Sequence, residues 1–366
     1  MFLALREFKH AKLRYLLVAL IMILIAWLVL FVSGLAKGLS SDNASSIQNM
    51  NTDYLVLQKQ ADNRLNRSVI SNDTLKDVRT FVSDKKSTPL GVQMTTLTKD
   101  GSAKKVDVTF FAINTNGMLA PDVAEGKMIN NTTTNEVVAD SSLKDNGFHL
   151  GDIVKDQASG KIFKIIGFTK EQSFSHAPVI HMNFKEWDAI HKANARGGEF
   201  FNAVALKANQ DKADQIDNSV SGVDVITKSD ALKGIPGYKE EQGSLIMMIA
   251  FLFVIAAVVL AVFFYVITIQ KMNQFGVLKA IGAKTGYLAK NIVSQVLLLT
   301  IASLIISIAL TYGVAFILPS SMPFDLSPQL VLGCSGLFLV VSVIGSLLSL
   351  YRVAKIDAIE AIGRAV

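Results

Sequence analysis

Hydrophobic and polar positions fall into long blocks along this chain. One apolar stretch is followed by a mixed polar segment, and three further apolar stretches close the sequence. The stretches cover residues 16–35, 245–269, 293–317 and 330–350, and none contains Asp, Glu, Lys, Arg or His. A bilayer core of about 30 Å takes about 20 helical residues to cross, so each stretch predicts a transmembrane helix. The first run is too long for a signal-peptide core and no small-residue cleavage site follows it, which predicts a retained anchor. The expected fold is an integral membrane protein: a four-helix transmembrane α bundle with a large extracytoplasmic α+β domain inserted between helices 1 and 2.

Within the polar segment the period changes. Residues 54–58, 91–97, 106–113, 136–139, 161–168, 179–182, 203–207 and 223–226 are rich in β-branched residues or alternate with period two, as half-buried strands do. Helices are predicted to start at Asn72 or Asp73, at Asn183 and at Asn209, each ahead of helix formers. Residues 57–81 and 207–226 share a strand-to-helix spacing, which suggests two related α/β lobes. Pro236 and Gly237 end any structure before the second span.

The chain divides accordingly. Residues 1–14 predict an interfacial amphipathic helix with Phe2, Leu3, Leu5 and Phe8 on one side. Helix 1 covers 15–36, the external domain 37–241 and helix 2 242–269. A cytoplasmic segment covers 270–291, helix 3 292–317, an external loop 318–329, helix 4 330–351 and a tail 352–366.

The net charge of +6 changes this picture by fixing an orientation. Basic excess is confined to the N-terminal flank (Arg6, Lys9, Lys12, Arg14), to Lys271, Lys279, Lys284 and Lys290, and to the tail (Arg352, Lys355, Arg364). Positive-inside bias places all three in the cytoplasm, with both termini inside and the domain outside. No basic face suited to nucleic acid is evident. Cys334, the one cysteine, lies in a span, so the external domain holds itself by its own core and a bacterial plasma membrane is favoured.

Chemistry-bearing motifs are few. Residues 276–285, GVLKAIGAKT, look like a phosphate-binding loop, but Ala283 stands where the motif requires Lys. Any ATP must then be bound by another subunit. His10, His149, His176, His181 and His191 follow no recognised zinc spacing and read as solvated, so no metal site and no catalytic set is expected. The segment 270–286 is basic, with Phe275, Val277, Leu278 and Ile281 as an apolar set. Such a set suits either partner docking or an inner-leaflet helix with snorkelling lysines.

Three motifs bring in a resemblance. QFGVLKAIGAKTGYL (274–288), YRVAKIDAIEAI (351–362) and the run from PDVAEGKMINN to KIFKIIGF (121–168) resemble signatures of the MacB/FtsX class of ABC transporter permeases. Gln274 stands where that class usually has an acid, and Ala358 where it has Pro. The resemblance implies a homodimer in the lipid bilayer, bound to two cytoplasmic ABC ATPase subunits. It implies that Gln274, Phe275, Val277, Leu278, Ile281 and Gly282, with Asp357 and Glu360 in the tail, couple to them. MFLALREFKHAKLRYLL and IPGYKEEQGSLIMMI most resemble the heme-exporting permeases of Gram-positive bacteria, which implies heme as a transported ligand and not a tightly bound cofactor.

Heme requires an apolar slot, an axial ligand and partners for its propionates. Tyr238, Lys239, Glu240, Glu241, Met247 and Met248 stand near the outer leaflet and could supply ligand and charge. Met22, Trp27, Phe31 and Phe253 could wall the slot. Interfacial anchoring and ordinary helix packing account for the same residues. The rival function is an FtsX-like mechanotransmitter that activates a cell-wall partner and carries no cargo.

Overall fold

The computed structural model describes residues 12–193, 200–319 and 322–354. The expected interfacial helix therefore lies almost wholly outside the described residues, as do Asp357 and Glu360. The chain forms two compact units, Met1–Gly38 with Gly243–Val366, and Leu39–Gln242. Helix α1, Lys12–Gln48, is longer than the apolar run predicts. Residues 39–48 are too polar to read as a span. They stay helical because Ala44 and Ile47, both fully buried, enter the core of the second unit.

That unit is built on a mixed sheet. Its elements in chain order are β1 (Tyr54–Gln58), β2 (Ile70–Ser71), α2 (Asn72–Arg79), β3 (Ser87–Lys99), β4 (Lys105–Ile113), β5 (Val123–Gly126), β6 (Glu136–Asp140), β7 (Ile153–Asp156), β8 (Ile162–Thr169), β9 (Ser173–Phe174) and β10 (Ala177–Asn183). There follow α3 (Phe184–Ala193), β11 (Phe200–Phe201), β12 (Ala203–Leu206), α4 (Gln210–Ser219), β13 (Val223–Thr227) and α5 (Lys228–Lys233). The strand order is β13-β1-β12-β3-β4-β10-β6-β8-β5, with β7 against β3 and β8.

Period-two alternation sorts the side chains. On β4, Val106, Val108, Phe110 and Ala112 enter one cluster with Phe163, Ile180 and Trp187, while Phe111 and Ile113 face the opposite one with Leu55, Leu90 and Val179. The helices begin where short polar side chains can cap them. Ser71, Asn209 and Asn183 accept hydrogen bonds from the backbone N–H three residues on. The cap of α2 is thus one residue earlier than predicted. The two strand-helix repeats do not form separate lobes: β1 pairs directly with β12, and α2 and α4 cover one shared cluster around Val56, Val204 and Ile216.

The first unit is helical. It contains α1 up to Gly38, most of α6 (Tyr238–Gln270), then α7 (Met272–Ala280), α8 (Thr285–Ile317) and α9 (Pro328–Ala354). Among the described residues, four helices are long and apolar enough to cross a membrane. α8 begins at Thr285, earlier than the expected 292, because Lys284 still leads directly into helical residues and Leu288 and Ile292 bury in the bundle. The bundle core joins Val18, Met22, Ala256, Leu260, Phe264, Leu288, Val296 and Phe338. Several hydroxyls inside it are satisfied locally. Thr268, Thr300, Thr311 and Ser342 each donate to the carbonyl four residues back. Lys271, expected among the exposed cytoplasmic lysines, is buried. Its Nζ donates to Gln295 Oε1 at 2.8 Å and lies 5.5 Å from the Tyr15 ring centroid.

The short loop before α9 packs against α1. A β-carbon at Gly38 would lie 2.4 Å from the Pro323 carbonyl, and one at Gly34 would lie 2.7 Å from the Phe324 ring. Asp325 N–H donates to the Gly34 carbonyl at 3.1 Å. Spacing of small residues by four lets backbones approach in this way. Gly38→Ala is expected to destabilise the purified protein by about 1–3 kcal/mol through overpacking. Gly313→Ala, with open space around the added methyl, should leave the unfolding midpoint unchanged or raised. Thermal unfolding of the two variants in detergent checks both.

Candidate functional site

The predicted polar residues lie in the sheet-bearing unit. Gly237, in the left-handed region at φ +78°, turns the chain into α6, and Tyr238 is its first residue. The Tyr238 ring packs half-buried on the domain core, and its hydroxyl lies 3.4 Å from both Ser40 Oγ and Gln48 Nε2. For Tyr238 to bind iron, those contacts would have to open. Lys239 and Glu240 are exposed.

Glu241 belongs to a different arrangement, which the sequence did not reveal. Its carboxylate accepts from Asn43 Nδ2 at 2.5 Å and lies 3.3 Å from His176 Nε2. His176 Nδ1 is in turn 2.8 Å from Asp42 Oδ2. The imidazole thus bridges a carboxylate of α1 and one of α6. It is held there by a backbone in the left-handed region at φ +60° and by the neighbouring Ser175 N–H, which donates to the Asn43 carbonyl at 2.7 Å. No sequence spacing predicts this meeting, because the three groups come from segments more than 60 residues apart.

The histidines correct another expectation. His149 and His176 are exposed or half-exposed, but His181 and His191 are buried. His181 sits on β10, a strand covered on both faces. Burial pushes its pKa down to about 3, so the ring is neutral. His191 Nδ1 lies 2.8 Å from the Trp187 carbonyl. Among the described residues no group of three metal-ligating side chains converges.

In the bundle, Met22 is fully buried in the core and Phe253 packs against it. Trp27 and Phe31 leave that core and form a ladder with Phe324, with ring centroids 6.2 and 5.3 Å apart. The Trp27 Nε1–H is buried without a protein acceptor. Met247 and Met248 are exposed on α6, at 58% and 42%. The structure therefore brings Trp27 and Phe31 together and places Met22 apart from them.

The segment between the second and third long helices also divides. Phe275 is buried and Leu278 packs on the bundle core, whereas Val277 and Ile281 are 56% and 76% exposed and Gln274 is exposed. Gly282 ends α7. It adopts φ +98°, its N–H donates to the Lys279 carbonyl, and Ala283 N–H donates to the Leu278 carbonyl. This is a glycine-dependent helix stop, not a phosphate loop.

The sequence matches the MacB-like periplasmic core domain over residues 15–222 and the FtsX-like permease C-terminal family over residues 246–358. The chain belongs to the MacB/FtsX family of ABC transporter permeases. Relatives of this permease include proteins named hemin transport system permease protein HrtB. That of Staphylococcus haemolyticus is 33% identical, and that of Staphylococcus epidermidis strain ATCC 12228 is 31% identical; each alignment covers 99% of both chains. An uncharacterized ABC transporter permease of Mycobacterium tuberculosis is 22% identical over 99% of both chains.

An ABC permease works with an ATPase partner, and Val277 on α7 and Ile281 at its C-terminal end are apolar residues left exposed that can be tested for contact with it. Val277→Lys with Ile281→Lys is expected to change the unfolding midpoint by no more than about 0.5 kcal/mol equivalent, as surface substitutions do, while abolishing co-purification of the ATPase. Phe275→Ala should instead cost about 3–5 kcal/mol of stability. Affinity co-purification beside thermal unfolding separates the two effects.

Proposed function

We propose that this permease exports hemin from the bacterial plasma membrane, as a homodimer driven by two separate cytoplasmic ATPase subunits. The observation that carries this reading is full-length similarity, at 31–33% identity, to permeases named for hemin transport. Both termini lie in the cytoplasm and the domain between helices 1 and 2 lies outside, in keeping with the three basic flanks.

The mechanism is mechanical. ATP binding closes the ATPases, and Val277 and Ile281 on α7 move with them. Spans α1 and α6 carry the movement outward. Hemin dissolved in the outer leaflet enters a lateral slot walled by the aromatic ladder of Trp27 and Phe31, with Met247 or Met248 meeting the iron. Closing the slot expels it. A change of this kind needs only two packings close in energy. The bundle also suits an apolar cargo: apart from Lys271, the buried polar groups described in it are hydroxyls, the Gln295 amide and the Trp27 indole N–H, too few to replace the water around a hydrated ion.

The match to the FtsX-like C-terminal family keeps one rival in view, a cargo-free mechanotransmitter. The two readings part on ligand stimulation. The export reading expects hemin to raise ATP hydrolysis by the assembled transporter saturably, and expects Met247→Ala to raise the half-stimulating concentration about ten-fold, a loss of about 1.4 kcal/mol. A hydrolysis rate indifferent to hemin would favour the mechanotransmitter.

A further inference from the structure

The sheet-bearing unit contains a cavity of about 540 Å³ that none of the residues considered so far as substrate contacts lines. Small-molecule sites typically measure about 300–1,000 Å³. Its lining is mixed: Leu90, Phe111, Ile113 and Leu119 stand beside Asn49, Asn51 and Gln172, and exposed Lys170 and Asp122 also border it.

Two buried polar side chains line the same cavity, and neither has a protein partner. His181 is 2% exposed and both of its ring nitrogens lack a hydrogen bond to protein. Ser46 is 2% exposed and its hydroxyl likewise has none. A buried polar group without a partner costs stability. Other polar groups near them are tied down: Asn183, next but one on the same strand, donates to the Asn130 and Thr133 carbonyls, and His191 meets Trp187. Two unpartnered groups that line one cavity are the arrangement of a ligand site, in which apolar side chains hold the body of the ligand and a few polar atoms orient it.

We propose that this cavity is a second iron-porphyrin site, within the external domain, with His181 as the iron ligand and Ser46 bonding to a polar edge of the ligand. The proposal rests on the hemin reading above and adds to it a receiving station outside the bilayer. The imidazole suits the task. It is neutral, the form that ligates metal. Its ring forms part of the cavity wall, and since neither nitrogen is tied to protein, turning one toward a metal breaks no hydrogen bond. Lys170 at the rim pairs a propionate.

The test is a hemin titration of the full-length permease in detergent, read by absorption, on wild type, His181→Leu, Ser46→Ala and Met247→Ala. Thermal unfolding of each variant and hemin-stimulated ATP hydrolysis of the assembled transporter are measured alongside. The proposal expects wild type to show a saturable low-spin component typical of imidazole ligation. His181→Leu should lose it, with one fewer hemin bound per protomer. Ser46→Ala should weaken it, and Met247→Ala should keep it. Because His181→Leu and Ser46→Ala each remove an unpartnered buried polar group, neither should lower the unfolding midpoint, so lost binding will not be lost folding. Titrations of His181→Leu that superimpose on wild type would overturn the cavity site. Hemin-stimulated hydrolysis in that case would leave the export reading standing. The converse result, an imidazole component without stimulation, would support the cavity and remove the export reading.

Discussion

Most of this structure follows from one constraint: inside a bilayer every backbone polar group must find its partner within the protein, and a buried side-chain group that finds none costs stability. The four long helices meet it for the backbone. Thr268, Thr300, Thr311 and Ser342 meet it for their hydroxyls by donating to carbonyls of their own turn. Lys271 meets it with Gln295 and the face of Tyr15. Gly38 lets the Pro323–Phe324 backbone approach α1, and Gly34 the Phe324 ring, so closely that any side chain would intervene. Ser307 ties two spans directly, through its hydroxyl to the Ile23 carbonyl at 2.9 Å.

The external domain works under a looser rule, since water can satisfy what protein does not. That freedom allows His176 to stand between Asp42 and Glu241, and it makes the cavity beneath Ser46 and His181 informative. These two line one cavity, both buried and both without a protein partner. The bundle and the domain thus suit different duties. One offers an apolar surface continuous with lipid, and the other offers a walled space with polar fittings.

Much of this was legible in the sequence, and the parts that were not share a cause. Spans could be read because hydrocarbon imposes a long uninterrupted run. Strands such as Tyr54–Gln58 and Lys105–Ile113 could be read because alternation reports which face is buried. The extension of α1 to Gln48 could not, because Ser40, Asp42, Asn43 and Gln48 are polar and only tertiary burial of Ala44 and Ile47 keeps them helical. The exposed apolar set on α7 was read as four residues and proves to be two, since Phe275 and Leu278 turn inward. The burial of His181 was missed because a lone histidine in a β-rich run carries no signal of its own. The pattern Ala177–Asn183 did contain one clue: Val179 and His181 share a strand face, so His181 shares its environment with a core valine.

The central claim is that ATP drives hemin out of the membrane through this permease. The most direct measurement reconstitutes the assembled transporter in proteoliposomes whose bilayer is loaded with hemin, and follows transfer to an apo-hemoprotein on the side of the external domain. The account predicts transfer that requires ATP and stops when Val277 and Ile281 are replaced by lysine. Transfer at the same rate without ATP, or hydrolysis without any transfer, would contradict it.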